Sequence, residues 1–191
     1  MASIIRYLHR KDLEYSSAIY SFYGGEFFKY TNYMFSCFFM EELIIGTIFA
    51  LHFYFGEDWY LTGAYFFTFS FNLLMTLVTK KMIRKNRPEI ETLPVTPKTV
   101  FFRKKQTYNG SMPSGDTIQA WTLGLFALMY LPSWKFWLVS PVMIMTPFSR
   151  VYLYCHFISD TIVGAVFASI GVVCSYFILK IPFIENFLKG I

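Results

Sequence analysis

The sequence predicts an all-α, multi-pass membrane bundle of about five transmembrane helices plus an N-terminal interfacial helix, and three observations lead there. The chain of 191 residues is 55% hydrophobic and only 15% charged, with 23 Phe and 14 Tyr, which is too apolar a balance for a soluble domain of this length. Apolar stretches of about 20 residues, enough to cross a bilayer as helix, recur along it. The charged residues collect in the segments between them.

Residues 1–32 mix Arg6, Arg10, Lys11, Glu14 and Glu26 with many aromatics, which suits an amphipathic helix lying on a membrane better than one crossing it. A cleavable signal peptide is not expected, because no compact apolar run is followed by small residues. Residues 33–191 read as one membrane-embedded domain, with spans at 33–55, 59–79, 114–131, 134–149 and 157–179 and a polar loop at 80–113. The fourth span is short. The first contains Glu41 and Glu42, which are costly in lipid and are expected to face other helices or the interface. Cys37, Cys155 and Cys174 are odd in number and have no paired spacing, which argues against a disulfide framework or a zinc site.

Five crossings put the N-terminus, the 80–113 loop and the 150–156 turn on one side, and that side holds 14 of the 17 Lys and Arg residues. The positive-inside rule assigns it to the cytosol or an equivalent such as a mitochondrial matrix, so the endoplasmic reticulum and the mitochondrial inner membrane both fit. Arg103, Lys104 and Lys105 suit anionic lipid headgroups. Nucleic acid is not an expected partner, because the basic residues border membrane spans.

Three constellations lie on this face. In "KKMIRKNRP", Lys80, Arg84 and Arg87 recur at helical spacing and can share one face before Pro88 turns the chain out of helix. In "SMPSGDTIQAW", Ser114 and Gly115 open the third span, where free N–H groups and the helix dipole can hold a phosphate; Ser114 as a plain cap with Asp116 as first-turn charge is the other reading. In "SRVYLYCHFISD", a helix beginning near Cys155 puts His156 and Asp160 on one face, with Arg150 just before. The span count brings all three to the same side. Three cations, a helix N-terminus and a His–Asp pair suit phosphoryl transfer, with His156 attacking phosphorus and Asp160 holding its tautomer.

Together the three motifs resemble those of the type-2 phosphatidic acid phosphatases, relatives of the vanadium haloperoxidases: Lys-x6-Arg-Pro from Lys80 to Pro88, Pro113-Ser114-Gly115, and Ser149-Arg150 followed by His156 and Asp160. The resemblance covers residues 80–160. It implies that Lys80, Arg87, Ser114, Gly115 and Arg150 bind phosphate and that His156 forms a phosphohistidine. It further implies lipid phosphate or diphosphate substrates and no metal or other cofactor. The family's second motif ends in a proton-donating histidine, and here that residue is Asp116. The family also often places its site on the luminal or outer face, against the charge count.

A second negative charge about 4 Å from a phosphate costs about 4 kcal/mol at an effective dielectric near 20, so Asp116 needs a resolution. It stays protonated and serves as the acid, or an arginine or lysine neutralises it, or the site has lost turnover and the protein is a structural subunit of a membrane complex with protein partners. Membrane lipids are partners on every reading. A transporter is disfavoured, because the polar residues form no path through the spans. The long 89–112 loop is expected to border the site.

Overall fold

The computed structural model describes residues 2–37, 50–88 and 110–189. Among these residues every long element is a helix: α1 (Ala2–Ser21), α2 (Gly25–Cys37), α3 (Trp59–Ile83), α4 (Gly115–Tyr130), α5 (Ser133–Tyr152), α6 (Ile158–Leu179) and the short α7 (Pro182–Lys189). Helices α3 to α6 follow the last four predicted spans. The predicted first span starts in α2 and ends in a helical stretch at 50–54; its middle, with Glu41 and Glu42, lies outside the described residues, as does 89–109 of the loop.

Local chemistry explains where these helices start and stop. Asp58 caps α3 by accepting from the Leu61 N–H at 3.0 Å. Arg84 ends it in the left-handed conformation at φ 48°, its N–H closing on the Lys80 carbonyl. Ser114 caps α4. Helix α5 accommodates Pro141 and Pro147 in its interior.

Helix α4 occupies the middle of the bundle, packed on α5, α6 and α3, while α2 lies on α5 and α1 reaches both α5 and α6. One apolar core, including Phe55, Tyr65, Phe126 and Leu179, fills the end of the bundle remote from the motifs. At the motif end, Tyr152, Leu153 and Cys155 pack with Ile19 of α1 and with Phe28 and Tyr33 of α2.

Helices α3 and α6 are long and apolar enough to cross a membrane. Their faces are inverted relative to those of a water-soluble bundle. Leu74, Leu77 and Val78 of α3 and Ile162, Val166, Ile170, Val173 and Phe177 of α6 point outward, whereas Thr68, Asn72, Thr76, Ala168 and Ser175 are buried between helices. Lipid as solvent removes the penalty on exposed apolar residues and favours small and hydrogen-bonding residues where helices meet. Asn72 donates to the Thr122 hydroxyl at 2.7 Å across the α3–α4 contact. Gly171 lets α6 approach so closely that an added Cβ would fall 1.6 Å from Asn72 Oδ1.

Candidate functional site

Arg84 and Arg87 do not extend the face of Lys80 as their helical spacing predicts. The left-handed Arg84 stops α3, and residues 84–88 run on without helix. That turn carries Arg87 back over the 153–157 connection, where its Nη1 donates to the Cys155 carbonyl at 3.0 Å. Lys80 stays on α3 within electrostatic reach of Arg87, Asp116, Arg150 and Asp160.

His156 also reaches its place by a different route. Helix α6 starts at Ile158, after Phe157, so His156 precedes the helix rather than sharing its face with Asp160. Tyr154 takes a left-handed φ of 60°, and the N–H groups of Cys155 and His156 both return to the Arg150 carbonyl. This closes the end of α5 and turns the chain inward. His156 is 1% exposed, and its Nδ1 lies 3.6 Å from Asp160 Oδ2 and 3.5 Å from Ser111 Oγ. Burial lowers the His156 pKa to about 4; Asp160 opposes that shift, while Arg150 and Arg87 reinforce it. The ring is therefore neutral at pH 7, the form that can act as a nucleophile.

Asp160 is held from several directions. Its Oδ2 accepts from the Phe157 N–H at 2.9 Å and from the Ser111 hydroxyl, and its Oδ1 accepts from Lys85 Nζ at 2.7 Å. Its backbone carbonyl accepts from the Ser114 N–H at 3.0 Å, which joins the start of α4 to the start of α6. Gly164, one turn further along α6, keeps this junction tight, since a Cβ there would meet the Ser114 carbonyl at 3.0 Å.

Ser114 is fully buried, and its hydroxyl accepts from the Thr117 backbone N–H at 3.5 Å as well as from Thr117 Oγ1 at 2.9 Å, so Ser114 caps α4. Gly115 and Asp116 are half-exposed in the first turn of α4. Asp116 Oδ2 forms an ion pair with Arg150 Nε at 2.8 Å. Arg150 is 2% exposed and also donates through Nη1 to Ser36 of α2 at 2.7 Å. Of the three resolutions for Asp116, neutralisation by an arginine is the one this geometry matches.

The structure thus gathers Lys80, Arg87, Ser114, Gly115, Asp116, Arg150, His156 and Asp160 at one end of the bundle. It adds residues to which the sequence pattern assigns no role: Lys85 within the first quoted stretch, Ser111 at the start of the second, Ser36 of α2, and Asp12 and Tyr20 of α1. Tyr20 donates to the His156 carbonyl at 2.9 Å, and Tyr154 returns a bond to the Tyr20 carbonyl at 2.7 Å. Ser16, Asn32 and Ser36 of α1 and α2 are buried against the rest of the bundle.

Two solved structures share this architecture. LpxE from Aquifex aeolicus matches with a TM-score of 0.68 and 18% identity, over 86% of this chain and 93% of that one. The transmembrane PAP2-type phosphatidylglycerolphosphate phosphatase from Bacillus subtilis matches with a TM-score of 0.64 and 18% identity, over 96% of this chain and 87% of that one. At that identity the likeness establishes the fold. No curated protein matches the chain. The model of the PAP2 superfamily matches residues 60–186, which include all three motifs and most of the helical bundle, and the chain therefore belongs to that superfamily.

Proposed function

We propose that the protein is an integral membrane phosphohydrolase that cleaves lipid phosphates or diphosphates through a phosphohistidine at His156, without a metal. The observation that carries this reading is the buried, neutral His156 with Asp160 beside its Nδ1, surrounded by Arg87, Arg150 and the N-terminus of α4. Superfamily membership supports the reaction class. The Bacillus subtilis relative, named for a phosphatidylglycerolphosphate substrate, supports a lipid one.

In this mechanism Nδ1 keeps its proton toward Asp160, so Nε2 carries the lone pair that attacks phosphorus. The P–N bond forms as the P–O bond to the leaving group breaks. Water then attacks the phosphohistidine, the P–N bond breaks, and inorganic phosphate departs. Lys80, Arg87, Arg150 and the N–H groups at Gly115 neutralise the charge on the equatorial oxygens, which supplies most of the catalysis in this class of reaction.

Asp116 differs in role from a proton-donating histidine. Paired with Arg150, it accepts and does not donate, so the leaving group departs without a proton from this position. A phosphate leaving group tolerates that better than a lipid alcohol, so diphosphates are the favoured substrates. The basic, motif-bearing face is assigned to the cytosolic or matrix side. Phosphate release from a panel of lipid monophosphates and diphosphates tests the proposal, with His156→Ala as the control.

A further inference from the structure

We propose that Lys85 is a positioning residue for the His156–Asp160 pair, and that Asp12 of the N-terminal helix holds Lys85 in that role. The inference rests on the phosphatase reading and extends it to two residues that the motifs do not specify: Lys85, at an unassigned position between Lys80 and Arg87, and Asp12. The Lys85 ammonium has three donors, and each has an acceptor: Asp160 Oδ1 at 2.7 Å, Ser159 Oγ at 2.8 Å and Asp12 Oδ2 at 3.0 Å. The same nitrogen sits 4.4 Å from the centre of the Phe157 ring. These contacts fix it against the residues that follow His156.

Lys85 has two effects on Asp160. By holding Oδ1 it sets the rotation of the carboxylate, so that Oδ2 is the oxygen that meets Ser111, the Phe157 N–H and His156 Nδ1. By lying at ion-pair distance it also takes up part of the carboxylate's charge, which limits how far Asp160 can favour the imidazolium. The first effect serves the nucleophile by fixing which oxygen faces Nδ1; the second sets the pH at which the imidazole takes up a proton.

Asp12 completes the arrangement from another element. Its Oδ1 accepts from the Ser159 N–H at 2.9 Å and its Oδ2 from the Ser159 hydroxyl at 2.5 Å, while Ser16 accepts from the Ile158 N–H at 3.0 Å. Asp12 and Ser16 are four apart and so share one face of α1. Helix α6 has an apolar residue, Phe157, at its cap position, and α1 supplies the acceptors for its first two N–H groups. The N-terminal helix therefore caps the helix that carries Asp160 and anchors Lys85 at the same point.

The groups that face His156 are Asp160 from α6, Arg150 from α5, Arg87 beyond α3, Ser111 before α4 and the Tyr20 hydroxyl of α1. Lys85 acts on it through Asp160. The test is the titration of His156 by NMR in the full-length, histidine-labelled protein in detergent, assigned with His156→Gln, for the wild type, Lys85→Met, Lys85→Arg and Asp12→Asn. Lys85→Met raises the His156 midpoint by about one pH unit, because Asp160 is then free to favour the imidazolium, and Lys85→Arg restores it. Asp12→Asn, which leaves Lys85 on Asp160 and Ser159 with a weaker anchor, raises it by less than Lys85→Met does.

With a turned-over substrate, Lys85→Met lowers kcat by about tenfold with KM little changed, the pattern of a lost transition-state interaction. An unchanged His156 midpoint in Lys85→Met overturns the proposal. So does a Lys85→Arg midpoint as high as that of Lys85→Met, which would mean loosened packing and not charge, and an unshifted midpoint in Asp12→Asn overturns the role given to Asp12. A wild type that releases no phosphate from any substrate overturns the phosphatase reading instead, and the titration still decides the role of Lys85.

Discussion

In the proposed mechanism the Asp116–Arg150 pair, 2.8 Å apart, determines which leaving groups the site can handle, because a carboxylate held by an arginine has no proton to pass on. Replacing Asp116 with His supplies a donor, and kcat/KM for lipid monophosphates should rise more than for diphosphates, by about tenfold or more. Equal gains on both substrates would count against this account. His156 gives a second expectation at this scale. Its folded pKa, lowered to about 4, lies below the ordinary 6.5, so the attacking neutral form persists as the pH falls and is lost only near pH 4. After correction for substrate ionisation, the acid limb of kcat/KM should therefore lie near pH 4; a limb centred near 6.5 would contradict the buried geometry. The sequence showed His156, Asp160 and the cations because their types and spacings are chemically distinctive. It did not show Lys85 or Asp12, which meet Asp160 and Ser159 across 75 and 147 positions of chain and carry no local pattern.

The positions of α3 to α6 were legible for a different reason: runs of apolar residues mark them. Helix ends were not, since they depend on backbone conformations such as the left-handed Arg84 and Tyr154, which apolar content does not encode. Those two ends place Arg87 and His156, so the local errors of reading fell at the site itself. The closest helix contact yields a stability prediction. A Cβ at Gly171 would overlap Asn72, the residue that bonds Thr122, so Gly171→Ala should force α3 and α6 apart. The expected loss is about 1–3 kcal/mol, with a lowered thermal midpoint in detergent. Asn72→Ala removes the interhelical hydrogen bond and should cost less, about 0.6 kcal/mol. A Gly171→Ala protein as stable as the wild type would show that α6 does not sit against Asn72.

For the whole molecule, apolar residues outside and polar ones between helices agree with the sequence reading of a membrane bundle, and the match to the PAP2 superfamily model agrees with the motif reading. The N-terminal residues contributed little to that resemblance, because their contribution is made through tertiary contacts. The proposed sidedness rests on charge alone, with the motif face expected on the cytosolic or matrix side. In a background lacking native cysteines, a membrane-impermeant maleimide should label Arg84→Cys from that side and Glu57→Cys, at the other end of α3, from the opposite one. The reverse pattern would overturn the charge-based orientation. The central claim is that His156 performs phosphoryl transfer, and it is tested most directly by inorganic phosphate release from purified protein with lipid diphosphates and monophosphates. The account predicts turnover, faster on diphosphates, with the activity abolished in His156→Ala. Absence of turnover across the panel, or turnover that survives His156→Ala, would contradict it.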